Sequence, residues 1–445
     1  MKFTTVLIWI GTITPALLSI YFIQNFYVNT VYWDEWEIVP SLSIIFGGED
    51  IFSLNIHSTH NEHLPIFPRL LVLFLASISS YNIFLEVFVG WLFVTMTVLV
   101  FWFLLGKTYP EVKWMIIPIS WLSYSFIQYQ NFLFGWASIH WHFTIFLVVT
   151  AIYFLNDGKG SIKSLGLFVI LSSIATFSHL IGALTWLIGL SYLRSMKRKY
   201  FAIIVISFIF IAFSYFLLSD NQKNYSTIST NIDVPFEIIT FIFLYLANAF
   251  RIPLGSGEQF LTYLTIGITF FSIFVIMMFL YHYTKIGKKL KSNIRPWYNL
   301  CLFSFFAAII TSIGRVDFGI QEALALRYVG VSNLFLDGIM VMTAVIISYQ
   351  IKNEDRKKRK KILKGFLFFL LVLLALYIAD GYIVGWILAT QYHDTLSIGL
   401  ECLEDYENAP EECLKILYPS ASIVKERAKI LEKFCLGPFS ENCSK

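Results

Sequence analysis

Apolar runs of about twenty residues recur along most of the chain, and that length fixes the solvent in which it folds. A helix of ~20 apolar residues crosses a ~30 Å hydrocarbon layer with its backbone polar groups satisfied internally, which an isolated strand or loop cannot do. Charged residues make up only 14% of the 445, against roughly 25% in soluble domains, too few to build a water-facing surface. The sequence therefore predicts an all-α, polytopic transmembrane protein whose first partner is the lipid bilayer.

Basic residues give the spans a direction. They cluster at Lys2, Lys107 and Lys113, Lys159 and Lys163, Arg194 to Lys199, Lys285 to Arg295, and Lys352 to Lys364. The positive-inside rule assigns such clusters to the cytoplasm, so they are topology signals and imply no nucleic-acid partner. Spans are expected near 4–23, 82–105, 114–128, 137–155, 163–178, 180–193, 200–219, 259–283, 298–313, 329–350 and 363–389, about eleven in all. The first is read as a retained span, because its apolar run is too long for a signal peptide and no small-x-small cleavage site follows. An N-terminus inside and an odd number of crossings place the C-terminus outside.

The cysteines point the same way by different chemistry. Of five, Cys301 alone lies in an apolar run, while Cys402, Cys413, Cys435 and Cys443 crowd the polar end of the chain. Four cysteines in a short tail suggest two disulfides, with the pairing open, and disulfides persist in an oxidising compartment. Residues 1–390 are expected to form one membrane domain and residues 391–445 a small extracytoplasmic, disulfide-linked appendage, in a plasma or inner membrane.

Chemistry-bearing residues gather in the segments this topology puts outside. The longest loop, 24–81, opens with Tyr32-Trp33-Asp34-Glu35-Trp36-Glu37, continues through His57, His60, Asn61, Glu62 and His63, and reaches Pro68-Arg69. The apolar run Leu70 to Ser79 is too short to span comfortably and is expected to lie along the interface, as is a second piece, Phe236 to Phe250. Paired acids beside indole rings have the means to act as a general base, each raising the other's pKa; the plainer reading is an aromatic belt with solvated acids. The histidines, with His140 and His142, leave a divalent metal open without a recognisable ligand motif. Two further turns are polar, Gln128 to Asn131 running into Trp136, and Gly314-Arg315 running through Asp317 and Glu322 to Arg327-Tyr328. Arginine suits a phosphate bidentately and keeps its charge, although these arginines also have nearby acids to pair with. Glu86, Asp337 and Asp380 fall inside expected spans, and Ser178-His179 at an outer turn.

In their order along the chain these elements resemble the GT-C superfamily of polytopic glycosyltransferases. The likeness rests on a first span, a long outer loop opening with Asp34-Glu35, an interfacial helix and many further spans, together with Asn61-Glu62-His63 leading to Pro68-Arg69, Gln130-Asn131 leading to Phe134-Gly135-Trp136, and Gly314-Arg315 leading to Arg327-Tyr328. It covers roughly residues 1–350. The resemblance implies a hexosyl- or pentosyltransferase that inverts a sugar taken from a polyprenyl-phosphate donor onto an extracytoplasmic acceptor. Asp34 would then be the base, with Glu35 beside it, and Arg315 or Arg327 would hold the leaving phosphate; Asn61, Glu62, His63, Arg69, Gln130, Asn131, Trp136 and Tyr328 would contact substrate. Leu64 stands where many relatives carry an arginine after the Asn-Glu-His string. No cofactor is required by this reading, and a divalent metal stays open. The competing classes are a lipid-linked glycan flippase or transporter, expected to carry charges or broken helices near the midplane, and a membrane scaffold, expected to leave outer acids and arginines uncoupled.

Overall fold

A computed structural model describes residues 3–50, 54, 56, 58–59, 63–157, 161–192, 197–219, 234–250, 256–283 and 287–440. The described chain is all-helical, and eight of its helices are long and apolar enough to cross a membrane. They are Phe3–Phe26, Ile83–Thr108, Gly135–Asp157, Arg198–Leu218, Ser256–Tyr283, Lys288–Arg315, Val329–Asn353 and Lys357–Glu404.

The other three expected spans are short or broken. Residues 114–128 fold as the helix Ile116–Ser123 between two 3-10 turns. Residues 163–178 end as Ile162–Thr176, a length of roughly 22 Å at 1.5 Å per residue. Residues 180–193 open with a 3-10 turn and continue only as Leu184–Leu190. The breaks fall at polar residues whose side chains take backbone bonds: His179 is extended, and its Nδ1 accepts the Ile181 N–H at 3.2 Å. The short Ile116–Ser123 piece is held against the first helix by Ser120 donating to the Thr12 carbonyl at 2.7 Å and Trp121 donating to the Gly11 carbonyl at 2.9 Å.

The two pieces expected along the interface are helices Ile66–Ser79 and Val234–Ala247. The second sinks one face into the bundle, with Phe241, Leu244 and Tyr245 fully buried. The sequence also predicts a polar outer loop from Ser219 to Asn231, followed later by Arg251 and the Gly-rich run Leu254-Gly255-Ser256-Gly257; residues 220–233 and 251–255 lie outside the described residues.

The last of the eight long helices, Lys357–Glu404, is a single rod of 48 residues, about 72 Å long and so more than twice the hydrocarbon thickness. Residue 391 lies within it, so the tail begins as a continuation of the last span. Gly381, Gly385 and Ala389 form a buried stripe at four-residue spacing that meets Ser125 to Ile127. Small residues at that spacing let backbones approach closely where burial from water is no longer a driving force. Beyond Glu404 the chain folds back, Cys402 is linked to Cys413 with Cα atoms 6.0 Å apart, and Cys435 is also disulfide-bonded. The amphipathic helix Ala421–Lys433 turns Val424, Ala428 and Leu431 inward and packs against the helix Val39–Gly47 of the first loop.

A Cβ at Gly385 would lie 2.2 Å from the Phe126 carbonyl carbon, whereas one at Gly365 of the same helix would meet nothing within 4 Å. Gly385→Val should therefore lower stability by about 1–3 kcal/mol and Gly365→Val should stay within about 0.5 kcal/mol of wild type, as read from thermal unfolding of the detergent-purified protein.

Candidate active site

The first loop is organised by Glu35, which is fully buried. Its Oε2 accepts the Tyr32 N–H at 3.1 Å, closing its own turn, and its Oε1 accepts the Trp136 N–H at 2.8 Å. Trp136 lies in the first turn of the helix Gly135–Asp157, where N–H groups without an intrahelical partner need an acceptor. Glu35 thus caps a transmembrane helix from a distant loop. Trp33, one residue before Asp34, has φ of 44°, a left-handed conformation costly for a bulky side chain, and its N–H is held by the Leu417 carbonyl at 2.8 Å. With Glu35 turned inward and Trp33 in that conformation, Asp34 is left facing a cavity.

Gly135 is the only residue type that fits beneath this turn. A Cβ there would stand 2.6 Å from Glu35 Oε1 and 2.8 Å from Glu86 Oε2, so two buried carboxyl groups meet at one backbone position. Neither Glu86 oxygen has a hydrogen-bond partner among the described residues. Burial pushes the Glu35 carboxyl up from 4.5 to about 8, the N–H groups of Trp136, Tyr32 and Gly135 opposing the shift and the charge of Asp34 adding to it.

Further lining residues come from much later in the sequence. The helix Lys288–Arg315 stops at Arg315, and three 3-10 turns separated by Gly319 and Ala325 lead into Val329–Asn353. Gly319 has φ of 98°, a conformation open to glycine. Arg315 lies 5.5 Å from the Phe318 ring centre, and Arg327 lies 5.0 Å from that of Tyr328 while pairing with Glu322. The turn bearing Arg327 is pegged from two sides. Asn131 Nδ2 reaches the carbonyls of Leu326 and Arg327 at 3.5 Å each, and Asn248 Nδ2 donates to the Ala325 carbonyl at 2.8 Å.

These segments border a cavity of about 620 Å³. Asp34, His63, Gln130, Asn131, Trp136, Arg315, Arg327 and Tyr328 all line it. Glu35 does not: it stands behind the wall and holds it. Arg69 does not either, since its guanidinium takes the Ile56 and Ser58 carbonyls and fixes the loop above. Asn61, Glu62, His57, His60 and Arg251 lie outside the described residues. His142 turns away into a separate internal cavity.

Residues the sequence reading gave no role also form the walls. Trp141 lies 5.7 Å from the Tyr328 ring, and the apolar edge is Leu180, Ile181, Ile310 and Ile313. His63 packs 3.9 Å from His179, which packs 4.7 Å from His140. These ring pairs are tilted, at 36° and 34°, and among the described residues no group of three or more His, Cys, Asp or Glu is disposed to hold a metal ion. The tail also reaches this region: besides the Leu417 bond to Trp33, Arg427 donates to the Trp36 carbonyl at 2.5 Å.

Such an arrangement can bind an amphiphilic phosphate. It offers two guanidinium groups for an anion, an indole and phenol surface for an apolar or sugar face, and a carboxylate in the same cavity. Comparison with protein-family models, with curated proteins and with solved structures returns no match.

Because Glu35 holds its proton more tightly when folded, the native state binds more protons than the unfolded chain between pH 4.5 and about 8. Its contribution to stability is therefore full below pH 4.5 and declines as pH rises to about 8. Thermal midpoints measured across that range should fall for wild type and fall less for Glu35→Gln, which keeps the shape and removes the titration; parallel curves would remove Glu35 as the cause.

Proposed function

We propose that the chain is a GT-C-type membrane glycosyltransferase that moves a sugar from a polyprenyl-phosphate carrier to an acceptor hydroxyl on the extracytoplasmic side. The observation that carries this reading is that Asp34 shares one cavity with Arg315 and Arg327, on segments far apart in sequence. A scaffold has no need of such convergence. The cavity lies at the end of the bundle opposite the Lys107–Lys113 turn, consistent with a site on the non-cytoplasmic face. The linked Cys402 and Cys413 on the same side fit an oxidising compartment.

The chemistry follows from the residues that share the cavity. The acceptor oxygen attacks the anomeric carbon as the bond from that carbon to the phosphate oxygen breaks, and configuration inverts. The hydroxyl proton passes to Asp34. The bonding pair leaves with the phosphate, whose added negative charge settles between Arg315 and Arg327. The lipid tail enters past Ile310 and Ile313, and the sugar lies against Trp136 and Tyr328. Glu35 serves by holding the loop that carries Asp34. Glu322 keeps Arg327 oriented until the phosphate competes for it.

The test is release of polyprenyl phosphate from a panel of labelled polyprenyl-phosphate hexoses and pentoses by membranes containing the protein and its native acceptors. Asp34→Asn should cut release by about 10²–10⁴-fold and Arg327→Gln by about 10²–10³-fold, with protein levels unchanged. Release at the wild-type rate in both variants, or none from wild type with any donor, would overturn the assignment.

A further inference from the structure

A second cavity, of about 30 Å³, lies among buried side chains of the bundle, with room for a water-sized particle. It shares no lining residue with the first. Its polar lining is Thr97, Ser123, Gln128, His142, Asn333 and Asp337, contributed by five different helical segments. Asp337 is 1% exposed and Asn333, Gln128 and His142 are no more than 4%.

The donor hydrogens around this space are largely committed elsewhere. Thr97 Oγ1 donates to the Phe93 carbonyl at 2.8 Å and Ser123 Oγ to the Ile119 carbonyl at 2.9 Å. Gln128 Nε2 donates to the Ser123 carbonyl at 2.6 Å and Asn333 Nδ2 to the Leu122 carbonyl at 3.0 Å. Oxygen lone pairs therefore face the cavity, and Asp337 Oδ1, Asn333 Oδ1 and His142 Nε2 have no hydrogen-bond partner among the described residues. No lysine or arginine lines it. A carboxylate at membrane depth without a counter-ion is costly, and such a residue ordinarily marks a functional site with a partner.

We infer that this cavity binds one monovalent cation of about sodium size, with Asp337 as its charged ligand and the Asn333, Gln128, Ser123 and Thr97 oxygens completing its shell. The charge balance selects the class. One carboxylate neutralises one positive charge, whereas a divalent ion would leave a net charge buried in the bundle. An oxygen-dominated shell suits a hard cation and disfavours transition metals, which prefer nitrogen and sulfur. The site lies next to segments that also line the large cavity, through Gln128 beside Gln130 and Asn131, His142 beside His140 and Trp141, and Gly330 beside Tyr328. An occupied site would tie those segments together.

The inference is independent of the proposed transferase and is read without it. Detergent-purified full-length protein is melted at constant ionic strength as choline is replaced by sodium or by potassium. Wild type should gain about 2–4 °C in a saturable response to sodium, with a smaller response to potassium. Asp337→Asn should lose the sodium dependence, and Thr97→Val, which keeps the carboxylate, should raise the half-saturating sodium concentration about tenfold. A wild-type midpoint indifferent to sodium, or rising equally with either ion, would overturn the inference in favour of a trapped water or a proton shared by Asp337 and His142. The same sodium response in both variants would overturn it too.

Discussion

The bond between the Glu35 carboxyl and the Trp136 N–H at 2.8 Å sets the rest of the site. A helix start within a bundle leaves N–H groups that need an acceptor, and here the acceptor is a buried carboxyl from another loop. That one contact fixes where the loop 32–37 sits relative to the helix Gly135–Asp157. It determines which of two adjacent acids faces the cavity, and brings Trp136 into the same wall. Glycine at 135 is the sequence's adjustment to it, because Glu35 and Glu86 both occupy the space a side chain would take.

A second group of contacts keeps the segment bearing Arg327 in place. Asn131 and Asn248 reach carbonyls in the turn 325–327, and Ser332 Oγ donates to the Leu246 carbonyl at 3.0 Å while receiving the Ala249 N–H at 2.9 Å. Polar side chains in the bundle thus serve backbone groups that irregular turns leave unsatisfied. That is the condition under which non-helical backbone is tolerated at membrane depth. The tail adds a third hold, through Leu417 and Arg427 on the loop carrying Asp34, so the last span and the first loop act on the cavity together.

The long spans were legible because hydropathy reports solvent directly, and a twenty-residue run has one structural solution in a bilayer. The breaks near Tyr124 and His179 were not, since each arises from side-chain bonds to local backbone inside a sequence that stays apolar on average. Arg315, Arg327, Asn131 and Trp136 were found as polar or aromatic residues at the ends of spans, which is why they emerge in one cavity. The different fates of Asp34 and Glu35 were hidden, because an irregular loop has no periodicity to say which side chain turns in. Arg69 donates to the Ile56 and Ser58 carbonyls and does not line the cavity, a placement that an irregular loop does not announce in its sequence. The tail's attachment left a readable trace in the apolar spacing of Ala421, Val424, Ala428 and Leu431, which marks a helix with one face to bury.

The most direct measurement is an experimental density map of the protein with a non-transferable polyprenyl-phosphonate sugar. The account predicts the phosphonate between Arg315 and Arg327, the sugar against Trp136, and the anomeric carbon turned toward the Asp34 carboxylate. A phosphonate seated away from both arginines, or a sugar with Asp34 on the far side of a closed wall, would contradict it.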